Sequence, residues 1–454
     1  MTIKGFNRFV WDFEGSTRVG KPENVYGTYQ SHGSMLIANS EEALKAHDIK
    51  NGWDWTKIPG ATTMSLTLAQ TRLSKARNFS PRSSAGGVTY RGPEPLSSGV
   101  FGMHFRQPRY SFMEASHPYP NINLRFKKSV FFYQNVLVCL GSNIRINNGG
   151  ATQAQTTLFQ DKLISDSSSI KVDDDRKDDS TLFDAMTPFS TPKGSRRGYT
   201  TLVDTKGNSY YIPRSSASDL KVHVQTQNSR TSSAKKSSGT YGTAWLEHSA
   251  SDGSYEYAVH IVTPSYEGST GSYWEIQHSD VSYKLYRVLK QDDEAHVVRF
   301  ETSPERNTAL LPLYGYVFFQ ATSSVPLPSW GIVSSVNRQC RIMAEENTQE
   351  IYLSISYPDL NFPGSKVLRT SGDVKARELF RMESEEIQVE VTLARVVSTT
   401  LPELPKVHGS PTDYVPRVRV IETVTEKPSR GNKLVFANLK NGFSVEVKLT
   451  KINC

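Results

Sequence analysis

Two stretches of this chain carry a broken alternation of apolar and polar residues. TAWLEHSASDGSYEYAVHIVTP (243–264) and YKLYRVLKQDDEAHVVRF (283–300) alternate apolar and polar side chains, as half-buried strands do. No series of segments carries the three-to-four spacing of amphipathic helices. The chain has 454 residues, long enough for two or three domains with real cores. Its 21 Tyr and 20 Phe, with frequent Ser and Thr, favour strands further. The expected fold class is all-β.

Charged residues make up 22% and hydrophobic ones 37%, which excludes a disordered tail or a membrane protein. The longest apolar run, VFFYQNVLVCLG (130–141), is broken by Gln134-Asn135 and is far short of a spanning helix. The three cysteines, Cys139, Cys340 and Cys454, are scattered without C-x-x-C spacing. Neither a disulfide framework nor a zinc site is indicated, and no cofactor is implied. Cys139, inside an apolar run, reads as a buried thiol. The opening MTIKGFNRFVW lacks the apolar core of a signal peptide, so no export signal is expected here.

The net charge of +8 points to anionic partners. Residues 72–128 alone hold ten Lys/Arg (Arg72, Lys75, Arg77, Arg82, Arg91, Arg106, Arg109, Arg125, Lys127, Lys128) against Glu94 and Glu114. Such a segment is either a solvated basic face or a polyanion track. No helix-turn-helix, zinc finger or RNA-binding aromatic motif accompanies it, so no nucleic-acid partner is expected. Phosphate-cradling loops, H-E-x-x-H and Ser/His/Asp signatures are also absent.

GWDWTKIPGATTMSLTL (52–68) places Trp53 and Trp55 around Asp54, then a Pro59-Gly60 corner, then a Thr-rich strand opening. Two large aromatics beside a corner either anchor the edge of a sandwich or form a sugar-stacking platform. Glu14 ends an opening strand over Phe6 to Phe13, with Arg18 close by in the loop. A return strand is expected near Tyr26 to Ile37, and Glu41 to His47 reads as helical. Gln134-Asn135 and the Gly-Asn of DTKGNSYYI (204–212) read as hairpin turns. The Asp-rich 161–184 reads as a solvated loop, with a calcium loop as the alternative although the EF-hand pattern is absent. The Ser/Thr/Lys-rich 227–242 reads as a loop flexible by composition. His248 and His260, without a partnered nucleophile or metal spacing, read as structural. MAEENTQ (343–349) reads as a domain boundary.

Several of these segments, in order, resemble polysaccharide lyase family 8, above all its chondroitin sulfate ABC lyases. The W-x-W-x-x-I-P-G-A-T-T run, GFN with W-x-x-E near the start, FSPRSSAGGVTY, GVFGMHFRQP, AQTTLFQ (154–160), the W-x-x-H-S step at Trp245 and His248, and IYLSISYPDLNF carry the likeness. The resemblance implies a large antiparallel super-sandwich domain, residues 1–345, followed by a smaller C-terminal β-sandwich, residues 346–454. It implies β-elimination on uronic acids of chondroitin or dermatan sulfate, with Glu14 as the family glutamate of a Tyr-His-Arg-Glu group. Several members carry Asn three residues after that glutamate, where this chain has Thr17. Arg18, Trp53 and Trp55 are the candidate substrate-binding residues. The family's Tyr, His and Arg lie in an N-terminal α/α toroid, which this chain does not show; a separate chain could supply it as a partner. The family is periplasmic or secreted. The competing expectation is a non-catalytic module that binds sulfated glycosaminoglycan through Trp53, Trp55 and the basic segment.

Overall fold

The computed structural model describes residues 2–3, 31–68, 70, 82–90, 97–107, 123–133, 135–147, 152–165, 169–172, 175–177, 199–217, 219–228, 237–249, 251–262, 286–300, 312–322, 331–357, 386–408, 414–422, 432–440 and 442–452. Every named sheet is built from antiparallel pairs where register is defined, and the described helices, Glu41–Lys45 and Arg214–Ala217, are single turns. The first starts at Ser40, whose side chain accepts from the Ala43 N–H at 3.1 Å, and its first turn carries Glu41 and Glu42. No described helix is long and apolar enough to cross a membrane. The chain divides into two compact units.

The first unit comprises Met1–Pro81, His104–Lys128 and Asn135–Val281. One of its sheets runs in the order Leu220–Asn228, Ser238–His248, Ala154–Lys162, Thr62–Met64. Another carries Ile170–Val172, Tyr199–Val203, Ser209–Pro213, Gly253–His260 and Val136–Asn147 side by side. The sheets bury their facing side chains against each other: Phe159 meets Tyr210 at 5.0 Å between ring centroids, and His248 meets Tyr255 at 5.6 Å. Ala154–Gln160, the AQTTLFQ segment, is buried throughout, including its Gln and Thr side chains.

The turn expected at Gly207-Asn208 forms where the residues require it. Tyr199–Val203 and Ser209–Pro213 pair in register, and the tip closes through Asp204 N–H to the Asn208 carbonyl at 3.0 Å. Gly207 supplies the positive φ of 87° there. Asn123–Tyr133 and Val136–Asn147 are adjacent strands; Gln134, of the turn expected between them, lies outside the described residues. The loop expected over 227–242 is shorter, because Ser238–Gly242 already pairs with the preceding strand. The strands expected over Phe6 to Phe13 and from Tyr26 to residue 30 lie outside the described residues.

The second unit comprises Arg82–Met103, Ser129–Gln134 and Ser282–Cys454. A seven-stranded sheet runs Tyr286–Gln291, Ala295–Phe300, Leu313–Phe318, Cys340–Glu346, Glu350–Ser356, Ser444–Thr450, Lys406–His408. A four-stranded sheet runs Val333–Val336, Ile387–Leu393, Asn432–Leu439, Val418–Glu422. Their apolar faces share one core that includes Tyr316, Ile342, Leu353, Val391, Phe436 and Val445. The Tyr316 hydroxyl accepts from the Ile332 and Val333 amides at 3.2 and 3.4 Å, so the buried ring keeps a polar partner.

This arrangement corrects the boundary expected at residues 343–349 and hence the division at 345/346. Cys340–Glu346 and Glu350–Ser356 are two arms of one hairpin, paired from Arg341–Ser356 to Glu346–Ile351. The polar residues between them are a hairpin tip, closed by Asn347 N–H to the Glu350 carbonyl at 2.9 Å. Polarity over a few residues marks a turn as readily as a linker.

Candidate functional site

The segment from Asn51 to Ala61 is a loop folded down onto the four-stranded sheet of the first unit. Its corner depends on Gly60, at φ 75°, where an added Cβ would stand 2.5 Å from the Met35 backbone nitrogen and 2.7 Å from its Cβ. Gly60 N–H donates to the Thr157 carbonyl at 2.7 Å and Met35 N–H donates to the Pro59 carbonyl at 2.8 Å. Two glutamines of the Ala154–Lys162 strand then hold the loop. Gln160 accepts from Asp54 N–H at 2.9 Å and donates to the carbonyls of Asp54 and Lys57 at 3.0 and 2.9 Å. Gln155 donates to the Thr56 carbonyl at 3.0 Å.

Folding the loop this way turns both tryptophans inward. Trp53 is 0% exposed and Trp55 2% exposed, packed with Ile58, Ala61 and Tyr241. Trp53 meets His47, Tyr241 and Trp55 edge-on at 4.6, 6.0 and 6.2 Å. The Tyr241 hydroxyl reaches the carbonyls of Asp48 and Asn51, 2.5 Å each. A sugar stacks only on an aromatic face that water can reach, so the platform reading of Trp53 and Trp55 is corrected to a packing role. Glu14 and Arg18 lie outside the described residues.

The basic segment also turns partly inward. Lys127 and Lys128 are buried, and the Lys128 ammonium donates to the carbonyls of Gly33 (2.7 Å) and Gly60. Burial lowers the Lys128 pKa to about 8. Lys128 is thus a strut for the corner and no part of a solvated track. Most of the other basic residues of 72–128 have no described side chain.

The histidines singled out in the sequence lie in packed surroundings. His248 is buried, with Nε2 2.8 Å from the Thr156 hydroxyl, and burial lowers its pKa to about 4. His260 Nε2 lies 2.7 Å from Asn135 Nδ2 and is likewise lowered to about 4 by burial. Cys139 is a free, buried thiol, pushed up to about 11 by burial. Among the described residues, no group of three or more His, Cys, Asp or Glu is placed to hold a metal ion.

What the loop leaves facing outward is a polar surface that residue spacing did not single out. Lys57 Nζ hydrogen-bonds Gln155 Oε1 at 2.6 Å and sits 4.8 Å from the centroid of the half-buried Trp245 ring. Trp245 Nε1 donates to Glu247 Oε1 at 3.3 Å, and Lys221, paired across the strands with Trp245, lies 3.9 Å from Glu247. His223 shares the strand of Lys221, and burial, then the Lys57 charge, lowers its pKa. The signal for Trp245 was available in the alternation: Ala244 and Leu246 on either side are buried, which sends Trp245 to the other face.

The polysaccharide lyase family 8 super-sandwich domain matches residues 15–268, more than half of the chain. The chain belongs to polysaccharide lyase family 8. Across 81% of its length this lyase-family chain is 27% identical to the chondroitin sulfate ABC endolyase of Proteus vulgaris, covering 32% of that protein. It is 25% identical to the chondroitin sulfate ABC exolyase of Bacteroides thetaiotaomicron over 86% of the chain and 35% of that relative. The chain thus spans about a third of the length of these relatives. Its fold matches the Paenibacillus xanthan lyase with a TM-score of 0.62 at 18% identity, covering 99% of this chain and 36% of that one. The Streptomyces coelicolor chondroitin AC lyase matches with a TM-score of 0.60 at 16% identity, over 99% and 47% of the two chains.

Proposed function

We propose that this chain is the β-structured part of a glycosaminoglycan lyase that breaks chondroitin or dermatan sulfate by β-elimination. The observation that carries the reading is the super-sandwich match over residues 15–268 together with likeness to two ABC lyases over more than four-fifths of the chain.

In such a reaction a base removes the proton beside the uronate carboxyl group. The electron pair forms the new carbon–carbon double bond, and the glycosidic oxygen leaves with a proton from an acid. Cationic and hydrogen-bonding groups must first neutralise the carboxylate, because the proton is otherwise too weakly acidic. On this reading Glu14 hydrogen-bonds and orients those cations, and Arg18 contributes to the substrate wall. The proton-moving Tyr, with His and Arg, belongs to a helical toroid, in the same polypeptide or in another.

Purified alone, the chain is expected to leave chondroitin sulfate uncut; combined with the toroid, it should yield the ultraviolet absorbance of an unsaturated uronate. Glu14→Gln in the assembled enzyme should reduce turnover while bound oligosaccharide is retained. Cleavage by the purified chain, or full turnover with Glu14→Gln, would overturn this assignment.

A further inference from the structure

The Lys57–Trp245 surface is built in a way that the core does not require. Gln155, 2% exposed, accepts from the Lys57 ammonium while donating to the Thr56 carbonyl and to the Thr63 hydroxyl (3.3 Å). Gln160, 0% exposed, holds the same loop and also accepts from Gln227 at 2.7 Å. The cation is therefore fixed before any ligand arrives, which spares the entropy of ordering a free lysine.

Among the described residues, no carboxylate is salt-bridged to Lys57. Lys162 in this unit lies 2.8 Å from Asp48, and the buried Lys206 contacts both Asp161 and Asp204. Lys57 instead meets a neutral amide and an indole face, while Asp54 and Glu247 act on it from a distance. Asp54 Oδ1 is already engaged by the Thr56 N–H and hydroxyl, at 2.8 and 2.7 Å. Burial lowers the Lys57 pKa, so an anion supplied from outside would offset a cost that the fold leaves standing.

Around this cation stand an apolar plate and several hydrogen-bonding side chains. Trp245, His223, Lys221 and Glu247 are each partly exposed. Sugar rings bind to such plates through their C–H faces, with hydroxyls met by amides, imidazoles and carboxylates.

We infer that this face is a subsite for an acidic sugar, taking its carboxylate or sulfate ester on Lys57 and its ring against the exposed part of Trp245. The carboxylate and the sulfate ester share one chemistry, an oxyanion on a pyranose. The site lies on the sheet of residues 154–162, 220–228 and 238–248. The identity of the glycan rests on the lyase reading; the site itself does not.

The test is calorimetric titration of the full chain with size-defined hexasaccharides: chondroitin 4-sulfate, unsulfated chondroitin and neutral maltohexaose. The variants are Lys57→Met, which keeps the stem over the indole, Trp245→Ala, and Lys406→Met on the second unit as a control. Unfolding midpoints establish that each variant is folded. Expected are binding of acidic hexasaccharides only, a loss of about tenfold or more in affinity with Lys57→Met and Trp245→Ala, and no change with Lys406→Met. Binding of both acidic sugars assigns the carboxylate to Lys57; binding of the sulfated one alone assigns the ester.

Affinity unchanged in Lys57→Met overturns the subsite even if Trp245→Ala fails to fold. Equal binding of maltohexaose, or no binding of any sugar, also overturns it. The lyase reading is scored apart, by unsaturated product from the assembled enzyme. Product without binding at this face sinks the subsite alone, and binding without product sinks the lyase assignment alone.

Discussion

Lys128 holds Gly60 by its carbonyl. The ammonium reaches that oxygen and the Gly33 carbonyl from inside the first unit, tying two turns that both have positive φ (80° at Gly33, 75° at Gly60). A cation replaces the water or sheet partner these carbonyls would otherwise need.

Replacing that cation by Met keeps the stem and strands both carbonyls. At pH 7, Lys128→Met should cost about 2 kcal/mol in urea unfolding. The deficit should grow with pH. The wild-type ammonium has a folded pKa lowered to about 8, below its unfolded value of 10.5, so between these values the unfolded chain binds more protons and wild-type stability gains with rising pH. The variant lacks that gain, and by pH 10 the gap should widen by on the order of 2 kcal/mol. A gap that closes above pH 8 would show instead that the two carbonyls hold the ammonium in its charged form, against the lowered pKa.

Gly60 and Gly207 both have positive φ but differ in what surrounds them. A Cβ at Gly60 would strike Met35, whereas a Cβ at Gly207 (φ 87°) meets nothing within 4 Å. Gly207→Ala should therefore cost about 1 kcal/mol of backbone strain alone, and Gly60→Ala at least about 3 kcal/mol. Equal midpoint shifts in chemical denaturation would show that crowding at the corner is relieved by movement.

Trp53 and Trp55 should report on stability. Either one changed to Ala should lose about 3–5 kcal/mol, as buried aromatics do. Oligosaccharide affinity of the molecules that remain folded should be unaltered. A selective loss of glycan binding with unchanged unfolding would restore the platform.

How far the sequence was legible follows from such residues. Alternation revealed strands, and Pro59-Gly60 and Gly207-Asn208 revealed turns, because those signals are local. The inward turn of Trp53 and Trp55 was not legible: they lie in a loop, where no period says which side is down, and buried Gln155 and Gln160 decide it. Lys128 was misleading because a charge ordinarily marks the wet face of a strand, yet two carbonyls await it inside. The hairpin tip at Asn347 resembled a linker because turns and linkers share a polar composition.

Acid should weaken the first unit through His248. Its folded pKa, lowered to about 4 by burial, lies below the unfolded value of 6.5, so the unfolded chain binds the extra proton between them and stability falls as pH drops through that window. The loss is on the order of 3 kcal/mol, and His47 and His260, both lowered to about 4, act in the same sense. Asp161, raised by burial, acts in the opposite sense. His248→Gln should reduce the acid slope by about 1.4 kcal/mol per pH unit; an unchanged slope would place the acid sensitivity elsewhere.

The hairpin that carries Asp204 and Lys206 brings two opposite charges to meet Asp161 on a neighbouring sheet, all three shielded from solvent. A half-docked hairpin would leave a carboxylate or an ammonium dry and alone, which is worse than either extreme. Residues 199–213 therefore have no comfortable halfway state. Their amides should exchange with heavy water only when the whole unit opens, so this hairpin would keep time with the deepest strands instead of fraying.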